Sequence, residues 1–298
     1  MKRVVSISLG SSKRDKKVEV EILGERFIIE RIGTDGSKEK MINMFKELDG
    51  KVDAFGLGGA DLYISVGKRR TTLKSIEKLV KNVVFTPICD GQYVKDTLEK
   101  KAVLFIRDKG LIDKNTKVMV ISGVSRYGQV EGFLEVGCKI LYGDLMFSLN
   151  LPFPIYNYKT FLFLASLIVP IARNLPYEWL YPTGKSQEEI IPKYEKYYKW
   201  ADVIAGDFLY IKKHMPEDLK DKIIFTNTTT PEDRELLKKR GVKYLITTTP
   251  EFDGRTFGTN VIEALICAYT GKKPNEISES EYYELFDKLN IKPNIIEL

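Results

Sequence analysis

Two glycines and a carboxylate in the stretch Thr116–Asp144 have the types and spacing to hold a nucleotide. Gly123 and Gly128 punctuate a turn after an apolar run, and Asp144 closes the next apolar run roughly 20 residues after the first glycine. Such a turn brings main-chain N–H groups close to pyrophosphate, and a carboxylate at that distance hydrogen-bonds the adenosine ribose. The usual central glycine is missing, and Ser125 and Arg126 occupy its space. The arginine offers a fork-shaped phosphate ligand in compensation. An acid at position 144 repels a 2′-phosphate, so the pattern points to NAD or NADP, with NAD favoured. Thr228 and Thr229, at the end of a later strand, are expected to face the crevice where such sheets bind ligands. A strand, turn and helix with no ligand is the competing explanation of the same residues.

Other reactive side chains are few. The single histidine, His214, stands in the lysine-rich segment IKKHMP and reads as a solvated loop residue. Cys89, Cys138 and Cys267 are far apart and lack metal-ligand spacing, so no metal site is expected. With no recognisable signal peptide, they suggest a reducing, cytoplasmic setting. The net charge of +6 comes from lysines scattered among glutamates. It forms no basic stripe, which argues against a nucleic-acid partner and leaves a small-molecule substrate.

The elements that must position these residues follow from periodicity. The 298 residues, 43% apolar and 30% charged, suit a soluble globular chain of one large domain or two smaller ones. Strands are expected at Arg3–Leu9, Phe27–Arg31, Ala54–Leu57 and Leu62–Val66. Met41, Ile42, Phe45 and Leu48 give Lys38–Leu48 a helical spacing. Val83–Asp90 begins a crossing segment, and a helix runs through Leu98 to Ile106. Alternation resumes at Ala201, with a helix over Glu232–Arg240 and a last one over Thr259–Tyr269 that Gly271 closes. This pattern predicts two α/β domains, the C-terminal one a Rossmann-like doubly wound parallel sheet. Residues 1–114 would bind substrate, completed by C-terminal helices from 258–298, and 115–257 would bind the nucleotide. Phe161–Ile171 is too short for the ~20 apolar residues of a membrane span and reads as a buried helix. The aromatic stretch Leu145–Pro182 around it reads as core, as a homodimer contact, or as a lid over the cleft.

Four landmarks in order resemble the shikimate/quinate 5-dehydrogenase superfamily. GADLYISVGK, from Gly59 to Lys68, is similar to that family's glycine–x–asparagine–valine–threonine–isoleucine–proline loop ending in lysine, with Asp61 in place of asparagine. CDGQYVKDTL, from Cys89, resembles the asparagine–threonine–aspartate–glycine segment. The run Ala201–Gly241 tracks the end of the family's nucleotide domain. GTNVIEALICAYTGKKP, from Gly258, resembles the closing helix, with Glu263 where the family has glutamine.

The resemblance implies a lysine–aspartate pair, Lys68 and Asp90, sharing the substrate hydroxyl while the lysine shuttles a proton. Lys74 is the runner-up lysine. Substrate contacts would come from Ser11, Ser12, Asp61 and Glu263. An ionised glutamate only accepts hydrogen bonds and repels an anionic cyclohexane acid. Glu263 and Asp61 therefore suggest a substrate other than shikimate, one bearing a cationic or donor-rich group. The expected function is hydride transfer to or from a small polar cyclic hydroxy or keto compound. The alternative is a non-catalytic relative that kept the fold as a ligand sensor. A glutamyl-tRNA-reductase-like activity is disfavoured, because Cys89 lies beside Asp90 with no evident activating partner.

Overall fold

Apolar residues on both faces make the central strands, and amphipathic helices cover them in a computed structural model of the chain. It describes residues 1–67, 69–176, 189–248, 251–252, 255–256 and 258–298. Lys68 therefore lies outside the described residues.

The first half contains β1 (Lys2–Ser8), β2 (Lys16–Ile22), β3 (Glu25–Gly33), α1 (Lys38–Leu48) and β4 (Ala54–Gly58). It continues with β5 (Tyr63–Val66), β6 (Arg69–Thr72), α2 (Lys74–Val80), β7 (Ile88–Cys89) and α3 (Gln92–Asp108). Its sheet has the order β2-β3-β1-β4-β7, parallel except for β2, which pairs antiparallel with β3. Val4, Val5 and Ile7 of β1 are fully buried, as a strand covered on both faces requires. The helix expected at Lys38–Leu48 has those bounds: Ser37 accepts from the Lys40 N–H at 3.2 Å, and Met41 and Phe45 are buried.

The second half contains β8 (Lys117–Val120), α4 (Tyr127–Val136), β9 (Lys139–Tyr142), α5 (Asp144–Phe147), α6 (Tyr158–Ala172), α7 (Glu195–Trp200) and β10 (Val203–Ala205). After these come α8 (Phe208–His214), β11 (Ile223–Thr226), α9 (Pro231–Lys239), β12 (Tyr244–Thr247), β13 (Glu251–Phe252), β14 (Arg255–Thr256), α10 (Thr259–Thr270), α11 (Glu279–Lys288) and β15 (Asn294–Glu297). The strand order β15-β12-β11-β10-β8-β9 is doubly wound and changes direction between β8 and β10. Thr230 and Asp233 cap α9 reciprocally, with Pro231 at its first position.

The two halves share elements. Helix α10 packs on the first sheet, with Ile262, Leu265 and Ile266 in one core with Val4 and Phe27. Strand β15 instead pairs antiparallel with β12, so the C-terminal segment completes both halves and not the first alone. Helix α3 is also shared: Val94 and Leu98 face the first core, while Val103 and Ile106 face the second.

Two expectations are corrected. Phe161, Ala165 and Val169 of α6 are buried, but Phe163, Leu167 and Ile171 are 62%, 54% and 67% exposed, so the helix is half-buried. His214 is no solvated loop residue: it ends α8 buried, with its Nδ1 3.2 Å from the Ile191 carbonyl, and burial lowers its pKa. Among the described residues no helix is long and apolar enough to cross a membrane.

Candidate functional site

The carboxyl ends of the two sheets open into one cavity of about 750 Å³. Its walls come from the loop after β4, the start of α3, the turn after β8, the start of α5, the residues after β10 and β11, and helix α6. A parallel sheet leaves its ligand crevice at the point where strand order reverses, here between β8 and β10. Asp61, Asp90, Ser125, Arg126, Asp144 and Thr228 all line the cavity. The tertiary structure thus gathers six of the sequence-selected residues.

At the first sheet's end, Lys95 of α3 forms an ion pair with Asp61. The lysine is buried, which works to lower its pKa, but Asp61 and Asp90 outweigh that and hold it above the ordinary value. It is therefore a charged hydrogen-bond donor that holds its proton more tightly than a free lysine, the opposite of the lowered pKa expected for a lysine that shuttles a proton. Among the described residues Lys95 is the lysine that lines the cavity. Sequence reasoning passed over it because helix residues Gln92, Lys95, Asp96 and Glu99 look like a solvated face at 3.6-residue spacing. All four are instead turned inward: Gln92 and Glu99 are 1% exposed.

Asp90 lines the cavity and also holds local backbone together. Its Oδ2 accepts from the Leu62 and Tyr63 N–H groups at 2.7 and 3.0 Å, and its Oδ1 from the Gln92 N–H at 3.0 Å. The carboxylate therefore ties the Asp61 loop to the start of α3, and burial raises its pKa. Gly91 next to Asp90 has φ +87°, and a Cβ there would meet the Asn260 N at 2.5 Å, so α10 rests directly on this backbone.

Glu263 of α10 lies beneath the site and does not line the cavity. It is fully buried and accepts from the Gly91 and Val94 N–H groups at 3.3 and 3.1 Å, capping α3. Burial first, and then the charge of Asp90, push its pKa up to about 8. Ser11 and Ser12 are also absent from the cavity wall. Ser11 caps the short turn Ser12–Arg14 through the Lys13 N–H, and the Ser12 N–H donates to Asp35. A strand-end hydroxyl satisfies its own turn more readily than a distant ligand.

At the second sheet's end, Asp144 accepts from the Gly123 and Val124 N–H groups at 3.0 and 2.9 Å. Burial raises its pKa to about 6. Each oxygen keeps a second lone pair able to accept from a further donor. Arg126 is not a free phosphate ligand. Its guanidinium lies 2.6 Å from Glu99 and 2.5 Å from Asp207, and both ends of the fork are committed. Gly128 serves helix packing: a Cβ there would meet the Asp96 carbonyl oxygen at 2.2 Å, so the glycine lets α4 approach α3. Thr229 stands 3.5 Å from the Arg234 Nε, outside the cavity wall. At this end of the cavity Ser125 and the ion-paired Arg126 stand where an open glycine would let a pyrophosphate approach the backbone.

Among the described residues no cluster of histidine, cysteine and carboxylate could hold a metal ion.

Residues 93–298 match the model of a domain of unknown function, DUF8754, and residues 3–90 match a second, DUF8753. The chain belongs to the DUF8754 family. No curated protein matches it. Similar solved structures include a hetero-hexameric glutamate dehydrogenase from Thermus thermophilus in its leucine-bound form. That one is 12% identical with a TM-score of 0.42, over 97% of this chain and 74% of the other. An NAD-dependent malic enzyme from Thermotoga maritima is 14% identical with a TM-score of 0.36, over 97% and 84%. An ABC-transporter solute-binding protein from Burkholderia multivorans is 12% identical with a TM-score of 0.35, over 92% and 94%.

Proposed function

We propose that the protein is an NAD(P)-dependent oxidoreductase acting on a small hydroxy or keto compound, a divergent relative of the shikimate/quinate 5-dehydrogenases. The observation that carries this reading is the shared cavity: the Asp61–Lys95 pair of one half and the Asp144-bound turn of the other open into the same space.

The chemistry of this chain's own residues is proton handling. Lys95 donates to the substrate oxygen as it gains charge and Asp61 steadies the ammonium, while Asp90 holds the loop bearing Asp61 against α3. Asp144 would take the ribose hydroxyls of the dinucleotide, and its charge favours NAD over NADP. When bound, the nicotinamide supplies or accepts the hydride.

Calorimetric titration of the protein with NAD+ and NADP+ tests the reading. NAD+ is expected to bind at least tenfold tighter than NADP+, and binding of neither removes the enzyme claim.

A second reading, ligand binding without catalysis, is favoured by the committed Arg126 and by Ser125 at the central glycine position. Lys95→Ala and Asp61→Asn separate the two. A pure binding protein keeps most of its ligand affinity, whereas an enzyme loses turnover.

A further inference from the structure

Helix α6 reaches from one end of the cavity to the other. Its first turn places Phe161 against the Gly123 turn, where a Cβ on that glycine would lie 3.2 Å from the ring. Its last residues reach the first half, where the Arg173 carbonyl accepts from the Lys74 N–H at 3.0 Å beside Leu73. The helix therefore roofs the Asp61–Lys95 end. Leu164 and Ile168 of the helix line the cavity together with Leu57, Ile64, Leu73 and Leu175. A polyhydroxylated ring would leave this surface without a partner, because hydroxyls gain nothing against aliphatic carbon.

The polar floor carries its own preference. Among the described residues, the charged ones lining the cavity are four carboxylates (Asp61, Asp90, Asp144, Asp207) and two cations (Lys95, Arg126). Both cations are already ion-paired. A ligand carboxylate would therefore enter a field of its own sign.

We propose that the substrate is amphipathic, with an uncharged or cationic hydrogen-bond-donating head at Asp61 and an apolar body against α6. This rests on the cavity being the functional site, and it names the substrate class that the oxidoreductase reading leaves open. The head presents an alcohol or amine to Asp61, and the body lies against the apolar lining that includes Ile64, Leu164 and Ile168.

The test is calorimetric titration of the full chain with butylamine, octylamine, 1-octanol and octanoate, each with and without saturating NAD+. From butylamine to octylamine, the dissociation constant is expected to fall by about fourfold for each methylene buried. Octylamine and octanol are expected to bind at least tenfold tighter than octanoate. Ile168→Asn should flatten the chain-length dependence, with Ile168→Ala as the milder variant should the first not fold. Chain-length independence, or octanoate binding as tightly as octylamine, overturns the proposal. The NAD+ titration alone reports on the cofactor, so the two claims fail separately.

Discussion

The Arg126 guanidinium lies 2.6 Å from the Glu99 carboxylate, and both side chains are almost completely buried. A second contact to Asp207 makes this arginine the junction of α3, α4 and the start of α8. Burial works to lower its pKa, but the two carboxylates outweigh that and raise it, so it stays charged at any working pH. Removing one member of such a cluster leaves a buried charge without compensation. Arg126→Met should cost about 3–5 kcal/mol in urea unfolding. The double change Arg126→Met, Glu99→Gln should recover part of the loss.

Turnover should depend on Lys95 more than on Lys68. Losing a positioned proton donor lowers rate by about 10²–10⁴-fold. Lys95→Ala is expected to fall in that range in kcat, while Lys68→Ala should change kcat only severalfold. Equal losses from both variants would return the catalytic role to the loop lysine.

Glu263 should make stability fall as pH rises. Its folded pKa of about 8 lies above the ordinary 4.5. Between those values the unfolded chain has released a proton that the native chain still carries, so raising pH favours unfolding. The cost accumulates from about pH 4.5 and levels off above about pH 8. Glu263→Gln removes this dependence, although it gives up one hydrogen bond to α3 at every pH. Urea midpoints of variant minus parent should therefore increase from pH 5 to pH 8. A constant difference would show that Glu263 does not titrate in that window.

Helix α4 should tolerate nothing larger than glycine at its contact with α3. A Cβ on Gly128 would lie 2.2 Å from the Asp96 carbonyl oxygen, and one on Gly132 would lie 2.7 Å from the Val103 Cβ. Overpacking of this kind costs about 1–3 kcal/mol, and more where backbone cannot yield. Gly128→Ala should be the more damaging of the two by thermal melting, since its obstacle is a main-chain carbonyl.

Local pattern was enough for the elements that carry their own signals. The apolar spacing of Met41 and Phe45 marks α1, and the Thr230–Asp233 box starts α9 within a residue of the expected place. The turn at Gly123 and the acid at 144 were also visible, because strand, turn and helix follow one another without a break. Ser11, Ser12 and Glu263 were misplaced for a common reason: a polar side chain near a strand end or on a helix can serve its own backbone or a ligand, and only its neighbours decide.

Composition and periodicity by themselves determined an α/β chain with largely parallel sheets and a glycine turn after β8, since these depend on residues close together in sequence. Which ammonium faces the cavity, and whether Arg126 is free, depended on contacts between distant segments. The polar stripe Gln92–Lys95–Glu99 has the same spacing whether water or protein covers it. Only the packing of α4 and the Asp61 loop over α3 turns that stripe into the floor of a site.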